Sequence, residues 1–396
     1  LSRLYGPEAF GVFALYTSIV SVLSVITTWK YELAIVLPKK DEDAVHLLTL
    51  SSLIVLVMTV LTSLVILLFK NRIEIMLGTP ELSFVLMWVP ISICAFGFYQ
   101  SLNYWSTRKK GYKRLSISQI IRSLSVVISQ LTGGVLKFGS AGLVFSQAFG
   151  HIVATIVLGK QIWNNDKGIL KRACKSINIK KIRSLARDYS DFPKYSAPQA
   201  FINSISQNAA PFLLSIYFSP AVVGFYAIGL KLLQLPVNLI GESVRQVYFQ
   251  KAAELHNNGV SLRTSLIKTT VALFGLACIP STIIFLFGSN IFSLILGDNW
   301  HEAGVYASWM VLWLFFVFIT RPTIALFQVL RLQRVYFIIE ILGLILKLSF
   351  LILTTYAFHN AAIVIAVYSL VNAGFYLFLF LYIYIKIKAL NSSKIH

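Results

Sequence analysis

Charge is scarce in this chain, and acidic charge most of all: only 13% of its 396 residues are Asp, Glu, Lys or Arg, with 15 acidic residues in total. A soluble domain carries about twice that charged fraction. Three cysteines, at Cys94, Cys174 and Cys278, show no spacing for a disulfide framework or a zinc site. No phosphate-binding loop occurs, which argues against ATP hydrolysis, and no metal or cofactor motif is present. What is abundant is apolar: 57% of residues are hydrophobic and 14% aromatic. That balance excludes a disordered or collagen-like chain and defines an integral membrane protein.

Charge of the remaining kind is lopsided, 35 Lys and Arg against 15 Asp and Glu, for a net +20. In so apolar a chain this excess points to loops facing an anionic leaflet rather than to nucleic acid. A helix needs about 20 apolar residues to cross a bilayer core of roughly 30 Å. Eleven stretches meet that need: 10–29, 46–69, 82–105, 115–136, 141–163, 195–218, 221–244, 265–287, 304–328, 335–357 and 361–385. Kinks are expected near Pro236 and Pro322. With the loop 30–45 placed in the cytoplasm, alternating segments on that side hold 27 Lys and Arg and the opposite side holds 4. The C-terminus is then cytoplasmic and Leu1 lies on the far side.

Two segments repeat at an offset of 213: Leu1, Ser2, Pro7, Gly11, Phe13 and Ala14 against Leu214, Ser215, Pro220, Gly224, Tyr226 and Ala227. A second pair, IEIMLG ending at Gly78 and FSLILG ending at Gly297, follows in the same order. The expected fold is an all-α polytopic protein of two six-helix bundles in parallel repeat, with the first span of the first bundle absent before Leu1 and the substrate path between the bundles. The expected domains are a helical lobe at 1–163, a basic cytoplasmic linker at 164–194 and a six-helix lobe at 195–396. Apolar Ile169, Ala173, Ile177, Ile182 and Leu185 allow part of the linker to form an interfacial amphipathic helix, against the alternative of a solvated basic loop.

The strings SRLYGPEAFGVFALY (2–16), YELAIVLP (31–38) followed by KKDEDA (39–44), and LGDNWHEAGVYA (296–307) resemble the polysaccharide transporter, or O-antigen flippase, family. That family lies within the multidrug, oligosaccharidyl-lipid and polysaccharide exporter superfamily. The resemblance implies twelve spans, a bacterial inner membrane and an undecaprenyl-diphosphate-linked oligosaccharide as substrate. It also implies other polysaccharide assembly proteins as partners.

Ionisable residues inside spans are functional candidates by default. Ser118, Arg122, Ser125 and Ser129 share one helical face, as do Lys231, Gln234, Asn238 and Glu242. Gln199, Asn203, Ser206 and Gln207 make a third, uncharged stripe. Three such stripes are expected to line one wet cavity; the plainer reading of the Ser and Asn positions is helix–helix contact. Glu340 and Lys347 share a face but stand about 10.5 Å apart along the axis, too far for direct pairing. Arg321, before Pro322, is placed to snorkel. His151 reads as a packed neutral histidine, and Trp300 as an interface anchor.

The intramembrane charge is net positive, which suits a phosphate-bearing substrate. Arg122 and Lys231 are thus expected to meet the diphosphate, with Lys347 and Arg321 as further candidate substrate-binding residues and Ser118, Ser125, Gln234, Asn238, Asn203 and Gln207 meeting sugar hydroxyls. Glu340 is the candidate for coupling by titration. The activity expected is a flippase working by alternating access, with no chemical step. A multidrug exporter on the same scaffold is the alternative, and a membrane polysaccharide polymerase a more distant one.

Overall fold

The computed structural model describes residues 1–77, 82–175 and 178–392. Gly78 and Ile177 lie outside them, as does the side chain of Ala173. The described residues form α-helices with no strand. In chain order these are α1 (Pro7–Ile26), α2 (Tyr31–Ala34), α3 (Asp41–Leu77), α4 (Leu82–Leu86), α5 (Val89–Arg108), α6 (Tyr112–Val135), α7 (Gly139–Lys175) and α8 (Ile179–Asp188). They continue with α9 (Ala197–Tyr217), α10 (Pro220–Asn257), α11 (Leu262–Leu296), α12 (His301–Ile319), α13 (Arg321–Val329), α14 (Gln333–Phe358) and α15 (Ala361–Ser392).

Ten helical segments among the described residues are long and apolar enough to cross a membrane. The eleventh expected span is α9, a helix of 21 residues whose Gln199, Asn203, Gln207 and Asn208 leave it short of the same apolar measure. A multi-pass membrane protein follows from these helices.

Prolines set several boundaries. Pro7 and Pro220, equivalent in the repeat, each open a helix at the first position, where the missing N–H costs no bond. Pro236, Pro211 and Pro280 lie inside continuous helices. Pro322 differs from expectation: the stretch 304–328 is two helices, α12 and α13, separated at Thr320, with Pro322 in the first turn of the second. Pro90 likewise opens α5, dividing 82–105 into α4 and α5. Near 164–194, α7 continues to Lys175, and α8 follows behind an N-cap in which the Asn178 side chain accepts from the Lys180 N–H at 2.9 Å. Ile182 and Leu185 of α8 are buried, and Leu185 joins a core with Ile35, Leu47, Trp105 and Leu158.

The chain packs as two compact units, Leu1–Val223 and Gly224–His396. In the first, α6 and α7 cross where Gly133 faces Gly142, and Tyr5 closes the crossing by donating its hydroxyl to the Gln130 carbonyl at 2.6 Å. A Cβ on Gly133 would lie 3.1 Å from the Gly142 Cα. Ser51 and Ser101, both fully buried, join α3 to α5 through hydroxyls 2.6 Å apart. Small residues letting backbones approach is how helices associate without a hydrophobic driving force.

The second unit uses the same device. Gly288 of α11 meets Gly304 of α12, and Ser308 donates to the Ile284 carbonyl at 3.0 Å. Trp300, expected at an interface, is instead 1% exposed in a short 3-10 turn, edge-on to Phe225. Its indole is part of the core, because the turn at Gly297 (φ +108) folds it inward.

Candidate functional site

Within the first unit, α6 sorts its side chains sharply. Ile120, Leu124, Val127, Ile128, Leu131 and Val135 are exposed on one side, as a lipid-facing surface requires. Ser118, Arg122, Ser125 and Ser129 occupy the opposite side. Arg122 and Ser125 are half-buried, while Ser118 is fully buried. Ser118 is engaged in packing: it donates to the Leu115 carbonyl at 2.9 Å and lies 3.4 Å from the Tyr99 hydroxyl. Gly150 of α7 lets the backbones approach here, since a Cβ would lie 3.6 Å from Arg122 Cγ and strike Val126. No carboxylate pairs with Arg122 among the described residues. His151, one residue beyond Gly150, is buried edge-on to Phe96, as expected of a packed histidine.

α9 has two polar faces. Ser204 and Asn208 turn toward α1, where Asn208 Nδ2 donates to Ser21 Oγ at 3.4 Å. Asn203 and Gln207 are exposed and joined to each other, Gln207 Nε2 donating to Asn203 Oδ1 at 3.2 Å.

In the second unit, Lys231 and Asn238 are exposed along α10 and Gln234 is half-buried. Arg321 does not snorkel away from the protein. Its Nη2 donates to Asn238 Oδ1 at 3.1 Å, and its chain lies over Gly241, where a Cβ would come within 3.0 Å of Nε. Glu242 is held in the same helix by Arg245, through Nε at 2.9 Å and Nη2 at 2.5 Å.

Glu340 accepts from the Tyr336 hydroxyl at 2.7 Å. Lys347 is not its ion-pair partner; the ammonium sits 3.9 Å from the centre of the Phe375 ring and 5.3 Å from that of Tyr376, a cation–π arrangement. The Phe375 ring packs on Gly343, one turn before Lys347. Thus the structure joins Arg321 to Asn238 and Asn203 to Gln207, and leaves Glu340 and Lys347 apart, as their spacing required.

One cluster escaped the sequence reading. At one end of the first unit, Asp41 takes Arg108 at 3.1 Å and Lys109 at 2.6 Å, while Arg108 Nη1 also donates to the Pro38 carbonyl at 2.6 Å and the Val36 carbonyl at 3.2 Å. Asp43 pairs with Lys181 of α8 at 3.1 Å, and Tyr31 donates to the Ala186 carbonyl at 2.9 Å. The YELAIVLP and KKDEDA strings therefore serve as the joint holding α2, α3, α5 and α8 together. Glu32 in that joint is buried and accepts from the Thr28 hydroxyl; burial pushes its carboxyl above the ordinary carboxylate value. Arg114 pairs with Asp166 at 2.9 Å beside Trp105, whose Nε1 donates to the same carboxylate at 3.0 Å. The signal was present as a run of basic residues at 108–114, but its acidic partners lie 52 to 68 positions away.

Among solved structures, the fold is shared with transporters of the MATE type. An inward-facing multidrug resistance MATE family transporter of the MOP superfamily superposes with a TM-score of 0.77 at 13% identity, over 99% of this chain and 96% of that one. A MATE structure in the bent conformation gives 0.57 at 12% identity, over 100% and 96%. The Vibrio cholerae MATE transporter VcmN in the bent form gives 0.53 at 15% identity, over 97% and 95%. The class is therefore that of helical multi-pass proteins with the MATE fold. The family model for polysaccharide biosynthesis proteins matches residues 1–305, and the chain belongs to that family. No curated protein matches it.

Proposed function

We propose that this protein is a flippase carrying undecaprenyl-diphosphate-linked oligosaccharide repeat units across the bacterial inner membrane, without a chemical step. Its products would feed O-antigen, capsule or exopolysaccharide assembly, alongside other assembly proteins. The observation that carries this reading is one of charge: Arg122, Lys231, Arg321 and Lys347 lie within spans, and none is ion-paired to a carboxylate among the described residues. Cations inside a bilayer are costly unless they meet an opposite charge or serve a passage. A diphosphate supplies that charge, and family membership supports the glycolipid that bears it.

In this reading Arg122 and Lys231 meet the diphosphate in turn as the protein alternates between inward and outward access. Ser125, Asn203, Gln207, Gln234 and Asn238 offer hydrogen bonds to sugar hydroxyls. Glu340, held by Tyr336, is the group assigned to coupling. The test is a comparison of glycolipids in cells with and without the gene, scoring repeat units and their sidedness. Repeat units accumulating on the cytoplasmic leaflet, with surface polysaccharide lost, are expected. Arg122→Ala and Lys231→Ala should reproduce that loss.

A multidrug exporter is the second reading, favoured by the multidrug resistance transporter among the structural neighbours. Unchanged glycolipids with altered drug sensitivity would replace the first reading with it.

A further inference from the structure

The turn between α5 and α6 leaves a recess of about 430 Å³ against α7, lined by Lys109, Lys113, Arg114, Gln161, Asn165 and Asp166 among others. None of the residues assigned to transport lines it. Its central side chain is Arg114, only 8% exposed. Arg114 Nη1 is committed to Asp166. Its Nε and Nη2, which form the opposite edge of the guanidinium, are buried with no partner, and so is Gln161 Oε1. Asp166 does not serve them: the bonds it accepts, from Trp105 Nε1 and Arg114 Nη1, both fall on its Oδ2.

Buried donors left open in a built recess call for a ligand. The Nε and Nη2 edge is a planar fork that matches two oxygens of one anion. Lys113 stands exposed at the recess without an ion-pair partner among the described residues, and Lys109 adds a second ammonium already turned to Asp41. With Lys109 paired to Asp41 and Arg114 to Asp166, Lys113 is the cation left over; a carboxylate spends both its oxygens on the arginine fork, whereas a phosphoester has a further oxygen for Lys113. Gln161 Oε1 requires a donor, which a hydroxyl on the same ligand supplies.

We infer that this recess binds a phosphoester that carries a free hydroxyl, gripped side-on by Arg114, with Lys113 adding charge and Gln161 accepting from the hydroxyl. Two sources share this chemistry: the headgroup of an anionic phospholipid such as phosphatidylglycerol, and a soluble ester such as glycerol phosphate. The inference stands apart from the transport reading.

The full chain, purified in detergent and free of phosphate and sulfate, is titrated with phosphatidylglycerol, phosphatidylcholine and glycerol phosphate, with binding read by native mass spectrometry. Phosphatidylglycerol or glycerol phosphate is expected to bind at least about tenfold more tightly than phosphatidylcholine, the scale of one charge-assisted contact. Preference for the lipid assigns the headgroup, and equal or better binding of glycerol phosphate assigns a soluble ester. Arg114→Lys keeps a cation for Asp166 but removes the fork, and should abolish the preference. Lys113→Gln, at an exposed position, should weaken it severalfold. No preference over phosphatidylcholine in the wild type, or an undiminished preference in folded Arg114→Lys, overturns the inference. Where Arg114→Lys does not fold, undiminished binding by Lys113→Gln does so. Surface polysaccharide is not the readout, so failure here leaves the transport proposal standing.

Discussion

Arg321 and Asn238 are joined by a 3.1 Å hydrogen bond that links the break after α12 to the middle of α10, 83 positions away. The bond exists because Gly241, one turn on from Asn238, leaves room for the arginine chain. Gly241→Val should therefore displace Arg321 without altering any charge. A lost charge-assisted hydrogen bond is worth about 1.5–3 kcal/mol, which corresponds to about ten- to a hundredfold in affinity. Surface polysaccharide in cells carrying Gly241→Val should fall toward the level of Arg321→Ala, at equal protein in the membrane. A normal yield from Gly241→Val would show that the position of Arg321 is immaterial.

Removing Asp166 leaves Arg114 buried without its ion pair and Trp105 without its acceptor. Breaking a buried pair from one side costs about 3–5 kcal/mol. Asp166→Ala should lower the melting temperature of the purified protein markedly, and Arg114→Met added to it should recover part of the loss. Thermal melts of the single and double variants decide the matter.

The Ser51–Ser101 contact lends itself to a double-mutant cycle. Hydrogen bonds between helices in membranes couple by roughly 0.6 kcal/mol on average. Ser51→Ala and Ser101→Ala should each destabilise, and the double variant should lose less than the two together. Strict additivity in denaturation would mean that the hydroxyls act independently.

Glu32 introduces a pH dependence whose sign is fixed. Burial raises its carboxyl in the folded protein, so the folded state holds the proton more tightly than the unfolded chain does. Its contribution to stability is then greatest below the ordinary carboxylate value and declines as pH rises through the raised one. Glu32→Gln should be stabilised relative to wild type near neutral pH, with the gap narrowing toward pH 4, about the ordinary carboxylate value. Melting curves across that range check it; a gap that widens on acidification would reverse the assignment.

Much of the fold was legible because its signals are local. Apolar runs mark the spans, and Pro7 and Pro220 mark equivalent helix starts. The stripe through Arg122 is confined to one helix, so its periodicity alone separates it from the lipid-facing Leu124 and Ile128. Contacts between distant segments left no such trace. Nothing near Arg321 in sequence indicates Asn238, and nothing near Arg114 indicates Asp166. Trp300 looked like an anchor because tryptophan favours membrane interfaces, but the positive φ at Gly297 turns it into the core. The kink expected near Pro322 is a full break: Thr320 leaves helical geometry and Pro322 lies in the first turn of α13.

The polarity of α9 reaches into how the chain is made. A segment with Gln199, Asn203, Gln207 and Asn208 leaves the insertion machinery with little affinity for lipid of its own. The segment is tied to α1, synthesised some 187 residues earlier, through Asn208 and Ser21, and to the Leu77 carbonyl that Ser215 reaches at 2.6 Å. The earliest helix described in the chain thus offers a polar contact to one that follows much later, and Ser21→Ala is expected to loosen α9.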